Sequence, residues 1–257
     1  MFLGKRISVV IPCHNEEEGV RAVIEQMPPV VDEILVVDNA STDRTSEVAQ
    51  SLGARVVYEG RKGYGRAYRT GFAKARGDII VTMDGDGTYP PNSIPLLVQV
   101  LVTEKLDFMT ARRWRSKSDK SKSPLRLLGN AVLSSATMVL FRRFLVDSQS
   151  GMWVFRRDAL PLFQPESDTM ALSQEIKILA FTNPKVRCLE MPIYYGERVG
   201  ESKLNLWKDG FGNLFQLFNL RLTLGRRRRA GATVTPLPAA EDGAAEQPEK
   251  VRASQSS

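Results

Sequence analysis

The sequence predicts an α/β protein built on an open, mostly parallel sheet with helices on its faces. Two observations carry this. Short apolar runs of strand length alternate with segments of helical length through the first half of the chain. Polar residues stand repeatedly at the C-terminal ends of those runs, where open α/β sheets collect their ligands. The 257 residues are 42% hydrophobic and 25% charged, which is ordinary for a globular chain able to bury a sizeable core.

Each element has a local reason. Residues 7–11 are an apolar strand, which Pro12 should stop. Asn15 is placed to cap a helix whose first turn holds Glu16, Glu17 and Glu18, where the helix dipole favours acids. Pro28-Pro29 ends that helix. Residues 33–37 form a second strand that delivers Asp38. A helix follows over about 43–52, with Gly53 as its stop. Residues 55–58 are a third strand, and a basic, glycine-spaced loop, 60–65, carries Lys62 into the next helix. Further helices are expected near 92–104, 125–140 and 173–181, and strands near 108–111 and 186–192. Residues 112–122, basic and rich in serine, read as a mobile loop.

The run Ile79-Ile80-Val81-Thr82-Met83 leads into Asp84-Gly85-Asp86. Alternation along an extended chain would put both carboxylates on one side, facing one ion. Hard oxygen ligands suit magnesium or manganese, which complete their shells with water and phosphate oxygens. The plainer reading of the same residues is a Gly/Asp surface turn after a buried strand.

Several classes are disfavoured. With a single histidine, His14, there is no multi-histidine metal site, and no nucleophile elbow occurs. Cys13 and Cys188 lack CxxC partners, so neither a disulfide framework nor a cysteine zinc site is expected. Gly63 and Gly65 do not make a dinucleotide fingerprint, because its third glycine position is Tyr68. Lys and Arg number 36 against 29 Asp and Glu, and this excess of +7 suits anionic partners. The apolar stretch near the start is too short for a signal peptide or a membrane span, so a cytoplasmic location is expected.

Six stretches together resemble the family-2 glycosyltransferases of the GT-A fold, and within them the polyprenyl-phosphate (dolichol-phosphate) hexose synthases. They are Val10-Ile11-Pro12-Cys13-His14-Asn15-Glu16, Val37-Asp38-Asn39-Ala40-Ser41-Thr42-Asp43, Lys62-Gly63-Tyr64-Gly65, Asp84-Gly85-Asp86, Asp147-Ser148-Gln149-Ser150-Gly151 and Arg198-Val199-Gly200-Glu201-Ser202-Lys203-Leu204. Their order and spacing span roughly the first 205 residues. Two departures stand out: Asp38-Asn39 where relatives often have paired aspartates, and Met152-Trp153 where they have Phe-Arg.

The resemblance implies a nucleotide-sugar site. Pro12, His14, Glu16 and Asp38 would contact base and ribose, with Lys62 in the neighbouring loop. Asp84 and Asp86 would hold Mg2+ or Mn2+ on the diphosphate of a GDP- or UDP-hexose. Asp86, Asp147 and Glu175 are the candidate catalytic residues. A lipid phosphate acceptor is already anionic near neutral pH, so it needs cations more than a base. Arg113, Arg126, Arg198 and Lys203 are those cations, with Ser202 beside them. A hydroxyl acceptor would need a base, and Asp147 or Glu175 would be the choice. Asp147 has a plainer role as a turn cap, and Ser202 as a helix cap. Nucleic acid is not an expected partner.

Residues 1–225 read as the catalytic domain, closed by an amphipathic helix over about 204–224. Residues 226–257 read as a basic run and a disordered tail. The helix carries two apolar stripes, one through Leu204, Trp207, Phe211, Leu214, Phe215, Phe218 and Leu222, the other through Leu206, Leu217, Leu220 and Leu224. Its charges forbid a membrane span. One stripe should pack on the domain. The other, with Arg226 to Arg229 beyond it, suits peripheral attachment to the cytoplasmic face of a membrane. The alternative is burial of both stripes, for example in a homodimer.

Overall fold

The computed structural model describes residues 1–114, 124–199 and 206–230, with side chains described outside 124–128, 206–211 and 225–230. Strands β1 (Ile7–Cys13), β2 (Glu33–Asp38), β3 (Arg55–Tyr58), β4 (Ile79–Thr82), β5 (Phe108–Trp114), β6 (Trp153–Arg156) and β7 (Cys188–Tyr194) form one sheet in the order β3-β2-β1-β4-β6-β5-β7. β1, β2, β3 and β4 run parallel, as do β5 and β7, while β6 pairs antiparallel with β4 and β5. This is the open, mostly parallel sheet that the alternation predicts.

Seven α-helices are described: α1 (Glu17–Glu25), α2 (Thr45–Ser51), α3 (Tyr64–Lys74), α4 (Ile94–Thr103), α5 (Pro124–Phe141), α6 (Leu172–Thr182) and α7 (Leu206–Ala230). Period-two alternation sorts the strand residues between two cores. Ile7, Val9 and Ile11 pack with Val20 and Val23 of α1, Val48 of α2 and Leu97 and Leu101 of α4. Val10, Leu35, Val37 and Ile80 face the other way, against Tyr68 and Phe72 of α3 and Leu172 and Ile176 of α6. The sheet is therefore the middle of three layers. A third cluster joins Leu133 of α5, Ile178 of α6 and Leu217 of α7.

Three local expectations are corrected. Pro12 does not stop β1, which continues to Cys13. Val10 O accepts the Met83 N–H at 3.3 Å, so alternate residues of β1 address β4. Pro12 falls on that side, beyond the last β4 pair at Thr82, and its missing N–H breaks no ladder. Asn15 does not cap α1. It lies at a φ of +54°, and its Oδ1 accepts the Thr42 N–H at 2.7 Å, tying the turn after β1 to the turn after β2. Residues 112–114 belong to β5 rather than to a loop, because they pair with residues 192–194 of β7. The expected loop from Arg115 onward, with Ser202, Lys203 and the tail beyond Ala230, lies outside the described residues.

Candidate active site

The C-terminal ends of β1, β2 and β4 lie side by side because these strands pair in parallel. β4 ends at Thr82, so Asp84-Gly85-Asp86 is a turn and not an extended segment. The two carboxylates come together through that turn, which corrects the expectation from strand alternation. Gly85 is required there, because a Cβ would stand 2.7 Å from Cys13 Sγ. Gly87 continues the turn at a φ of +76°.

Asp84 is enclosed. Its Oδ1 accepts the phenols of Tyr64 (3.4 Å) and Tyr68 (3.5 Å) from α3. Behind it lies Gly151, where a Cβ would meet Tyr64 Oη at 2.7 Å and both Asp84 oxygens at 3.2–3.3 Å. Burial, and then the charge of Asp86, push the Asp84 carboxyl up to about 7. Burial also pushes both phenols well above their usual range, so they remain neutral donors. Asp86 is buried, with Oδ1 accepting Thr88 N–H (3.0 Å) and Thr88 Oγ1–H (2.6 Å). Its Oδ2 accepts Arg198 Nη1 at 2.9 Å.

Arg198 comes from the segment after β7, which is laced onto the Asp86 turn. Gly196 N–H donates to Thr88 O (2.9 Å) and Val199 N–H to Asp86 O (2.8 Å). The same guanidinium reaches Glu16 Oε1 through Nη2 at 2.7 Å. Glu16, at the start of α1, is thus joined to Asp86 by a bridging cation. Half-buried Asp84 beside buried Asp86, with the Asp84 carboxyl raised to about 7, forms a donor set that favours a cation. Mg2+ or Mn2+ fits Asp84 and Asp86. The described residues contain no group of three or more His, Cys, Asp or Glu that could hold a metal, so further ligands would come from water and phosphate oxygens.

The side expected to hold a nucleotide is built from turns. Asp38 is buried and accepts the Ser41 N–H (2.9 Å) and the Ser46 hydroxyl. Lys62 Nζ stands 3.4 Å from His14 Nε2. Pro12 is the penultimate residue of β1 and brings His14 to this face.

The opposite side is built on β5. Arg113 grips Asp147 at two points, Nε to Oδ2 at 2.7 Å and Nη2 to Oδ1 at 2.8 Å. Burial would raise the Asp147 carboxyl, but the charge and hydrogen bonds of Arg113 outweigh it and hold it well below the usual range. A carboxylate so held is a poor proton acceptor. Asp147 Oδ1 also accepts the Gln149 N–H at 3.2 Å, so the turn-cap reading is the observed one. Glu175 is engaged as well. Its carboxylate takes the backbone N–H groups of Glu166 (3.1 Å) and Ser167 (2.8 Å), anchoring the turn before α6. It is Ser173, two residues earlier on the same helix, that reaches Tyr64 Oη at 3.4 Å. Arg126 lies on α5 with its side chain outside the description, and Ser202 and Lys203 lie outside the described residues.

Some residues of the site had no motif to announce them. Lys177 is fully buried and donates to the carbonyls of Asp147 (3.1 Å) and Ser150 (2.7 Å), fixing the turn that carries both. Burial pulls its ammonium down to about 7. A lone lysine inside the apolar run Ile176 to Ala180 was the available signal. Glu190 of β7 accepts the N–H groups of Val146 and Asp147, both at 2.8 Å, from the other side.

Comparison with known proteins adds to this geometry. The family model for glycosyl transferase family 2 matches residues 8–162. The chain is 34% identical over 225 residues to a low-salt glycan biosynthesis hexosyltransferase of Haloferax volcanii, covering 84% of this chain and 54% of that protein. It spans only about half the length of that relative. It is 30% identical over 210 residues to a dolichyl-phosphate hexose transferase of the same organism, covering 79% of this chain and 89% of that one. Among solved structures, glucosyl-3-phosphoglycerate synthase from Mycobacterium tuberculosis, in complex with Mn2+, UDP and phosphoglyceric acid, superposes with a TM-score of 0.67. It is 25% identical, covering 86% of this chain and 78% of that one.

Proposed function

The chain belongs to glycosyl transferase family 2, and from that premise we propose that it transfers a hexose from a nucleotide sugar to a polyprenyl phosphate. The reaction is metal-dependent and inverts the anomeric carbon. The observation that carries the choice of acceptor is the engagement of both candidate bases. Asp147 is locked by Arg113 and Glu175 by two backbone N–H groups. A hydroxyl acceptor needs a proton acceptor, whereas a phosphate monoester with a second pKa of about 6 arrives as an anion. The similarity to a dolichyl-phosphate hexose transferase supports the same reading.

In this reading Pro12, His14, Glu16, Asp38 and Lys62 line the nucleotide, a GDP or UDP. Asp84 and Asp86 face the diphosphate. Magnesium or manganese, when bound there, neutralises the charge that develops on the departing nucleoside diphosphate. Arg198, released from Asp86, turns to the acceptor phosphate with Arg126, Ser202 and Lys203. Arg113 keeps Asp147 ionised and contributes positive charge behind the site. Attack from the face opposite the leaving group inverts the anomeric centre. A second reading, a soluble phosphorylated or hydroxyl acceptor, draws on the likeness to a structure holding phosphoglyceric acid.

Access to a lipid follows from α7. Leu217 is fully buried against α5 and α6, whereas Phe215, Phe218 and Leu222 are 74%, 52% and 66% exposed. No helix among the described residues is long and apolar enough to cross a membrane. The exposed stripe with the arginine run after Gly225 suits an anionic lipid surface, worth about 1 kcal/mol per arginine. Attachment is peripheral, at the cytoplasmic face. Residues 1–225 are the catalytic unit in this proposal, and 226–257 the basic run and tail.

A screen of radiolabelled GDP- and UDP-hexoses with polyprenyl phosphate and Mg2+ or Mn2+ tests the proposal. One donor should carry label into the organic phase, and EDTA should abolish it. Absence of lipid label with every donor, together with label on a soluble acceptor, would overturn it.

A further inference from the structure

The turn after β2 and the loop after β3 meet at a single buried side chain. Asn39 Nδ2 donates to Glu59 O (3.0 Å) and to Arg61 O (2.8 Å), and its Oδ1 accepts the Gly63 N–H (2.7 Å). Both amide hydrogens and the amide oxygen are used. The partners also fix which way the amide points, since two are carbonyls that only accept and one is an N–H that only donates. The three bonds bracket Lys62, whose ammonium stands 3.4 Å from His14. Asn39 itself is buried and adjoins Asp38, whose carboxylate is engaged with Ser41 and Ser46.

We infer that Asn39 is a positioning residue for nucleotide binding: it clamps the 59–63 loop and so sets Lys62 at the nucleotide side of the site. The inference rests on the proposed donor site. The chemistry that reads it is asymmetric. An aspartate in this place has the same size and shape, yet it keeps the acceptor for Gly63 and loses both donors. Two carbonyls would then face a carboxylate, and the loop would leave its place. The consequence for a ligand is indirect, passing through Lys62 and its charge.

Binding of UDP and of GDP, each with Mn2+, to wild-type, Asn39→Asp, Lys62→Ala and the double variant tests this by calorimetry. The wild type should bind one nucleotide, and each single variant should weaken that binding by about tenfold, the order expected for losing one or two hydrogen bonds. The double variant should be no weaker than the worse single variant, because both changes remove the same contribution. Additive losses, or an Asn39→Asp protein with lowered Tm and unchanged nucleotide affinity, would overturn the inference and leave Asn39 a structural clamp. If Asn39→Asp does not fold, Asn39→Ala removes both donors and the acceptor without adding charge and is read the same way. A wild type that binds neither nucleotide would defeat the donor-site reading and this inference with it. That outcome is distinct from a wild type that binds while Asn39 proves irrelevant.

Discussion

At the scale of the residue, Asp147 shows how a side chain can be central to a site without doing proton chemistry. Asp147→Asn should strip the half-buried Arg113 of its charge partner and cost about 1.5–3 kcal/mol at pH 7, the order of a hydrogen bond to a charged group. The carboxyl is held below its usual range in the folded protein, so its stabilisation is present above the unfolded value of about 4. It is lost as pH falls from there towards the folded value. Urea denaturation should therefore give a wild-type–variant gap that is steady between pH 7 and 5 and narrows below about 4. A gap that opened at low pH would contradict the pairing. Asp86→Ala is the complementary case. Asp86 organises only its own turn and Arg198, so the variant should stay folded, while transfer falls by orders of magnitude. The sequence offered Asp86 as a metal holder and Asp147 as a base or a turn cap, but the partner that fixes Asp147 was not legible there. What separates them is the guanidinium of Arg113, brought from 34 positions away by the pairing of β5.

At the scale of the element, the segment after β7 behaves as a strap tied to the Asp86 turn by two backbone bonds and one guanidinium. In the proposed function Arg198 and a divalent cation would compete for Asp86. Arg198→Ala should thus bind Mn2+ alone more tightly, by about tenfold, the order of one charge-assisted hydrogen bond. It should also use the lipid phosphate less well. Titration calorimetry without nucleotide reads the first effect, and unchanged or weaker Mn2+ binding would refute the competition. Elements were mostly legible. Apolar runs ending in polar residues located β1, β2 and β3, and α3, α4, α5 and α6 followed the helical periodicity. The failures share one cause: local signals yielded to pairing across the sheet. Pro12 looked like a stop until its free side proved to face a strand that had already ended. Arg112 and Arg113 looked like loop until β7 paired with them. The Asp84–Asp86 pairing was right in outcome and wrong in mechanism, because the turn and its glycines do what strand alternation was expected to do.

At the scale of the whole molecule, the sheet gathers the β1, β2 and β4 ends into the proposed donor site, and α5, α6 and α7 pack together beside it. The two stripes of α7 divide between these tasks. Leu217→Ala should loosen α7 from its neighbours at a cost of about 2–5 kcal/mol. Phe215→Ser with Phe218→Ser should barely change stability, yet reduce flotation with anionic vesicles, and added salt should reduce it further. A stable dimer that does not float at low salt would assign the stripe to a subunit contact instead. The central claim is that the acceptor supplies its own negative charge, and it is tested most directly by offering the enzyme polyprenyl phosphate and the unphosphorylated polyprenol side by side with the preferred donor. Label should enter the organic phase with the phosphate alone. Equal transfer to the alcohol would require a base that Asp147 and Glu175 do not provide, and would contradict the account.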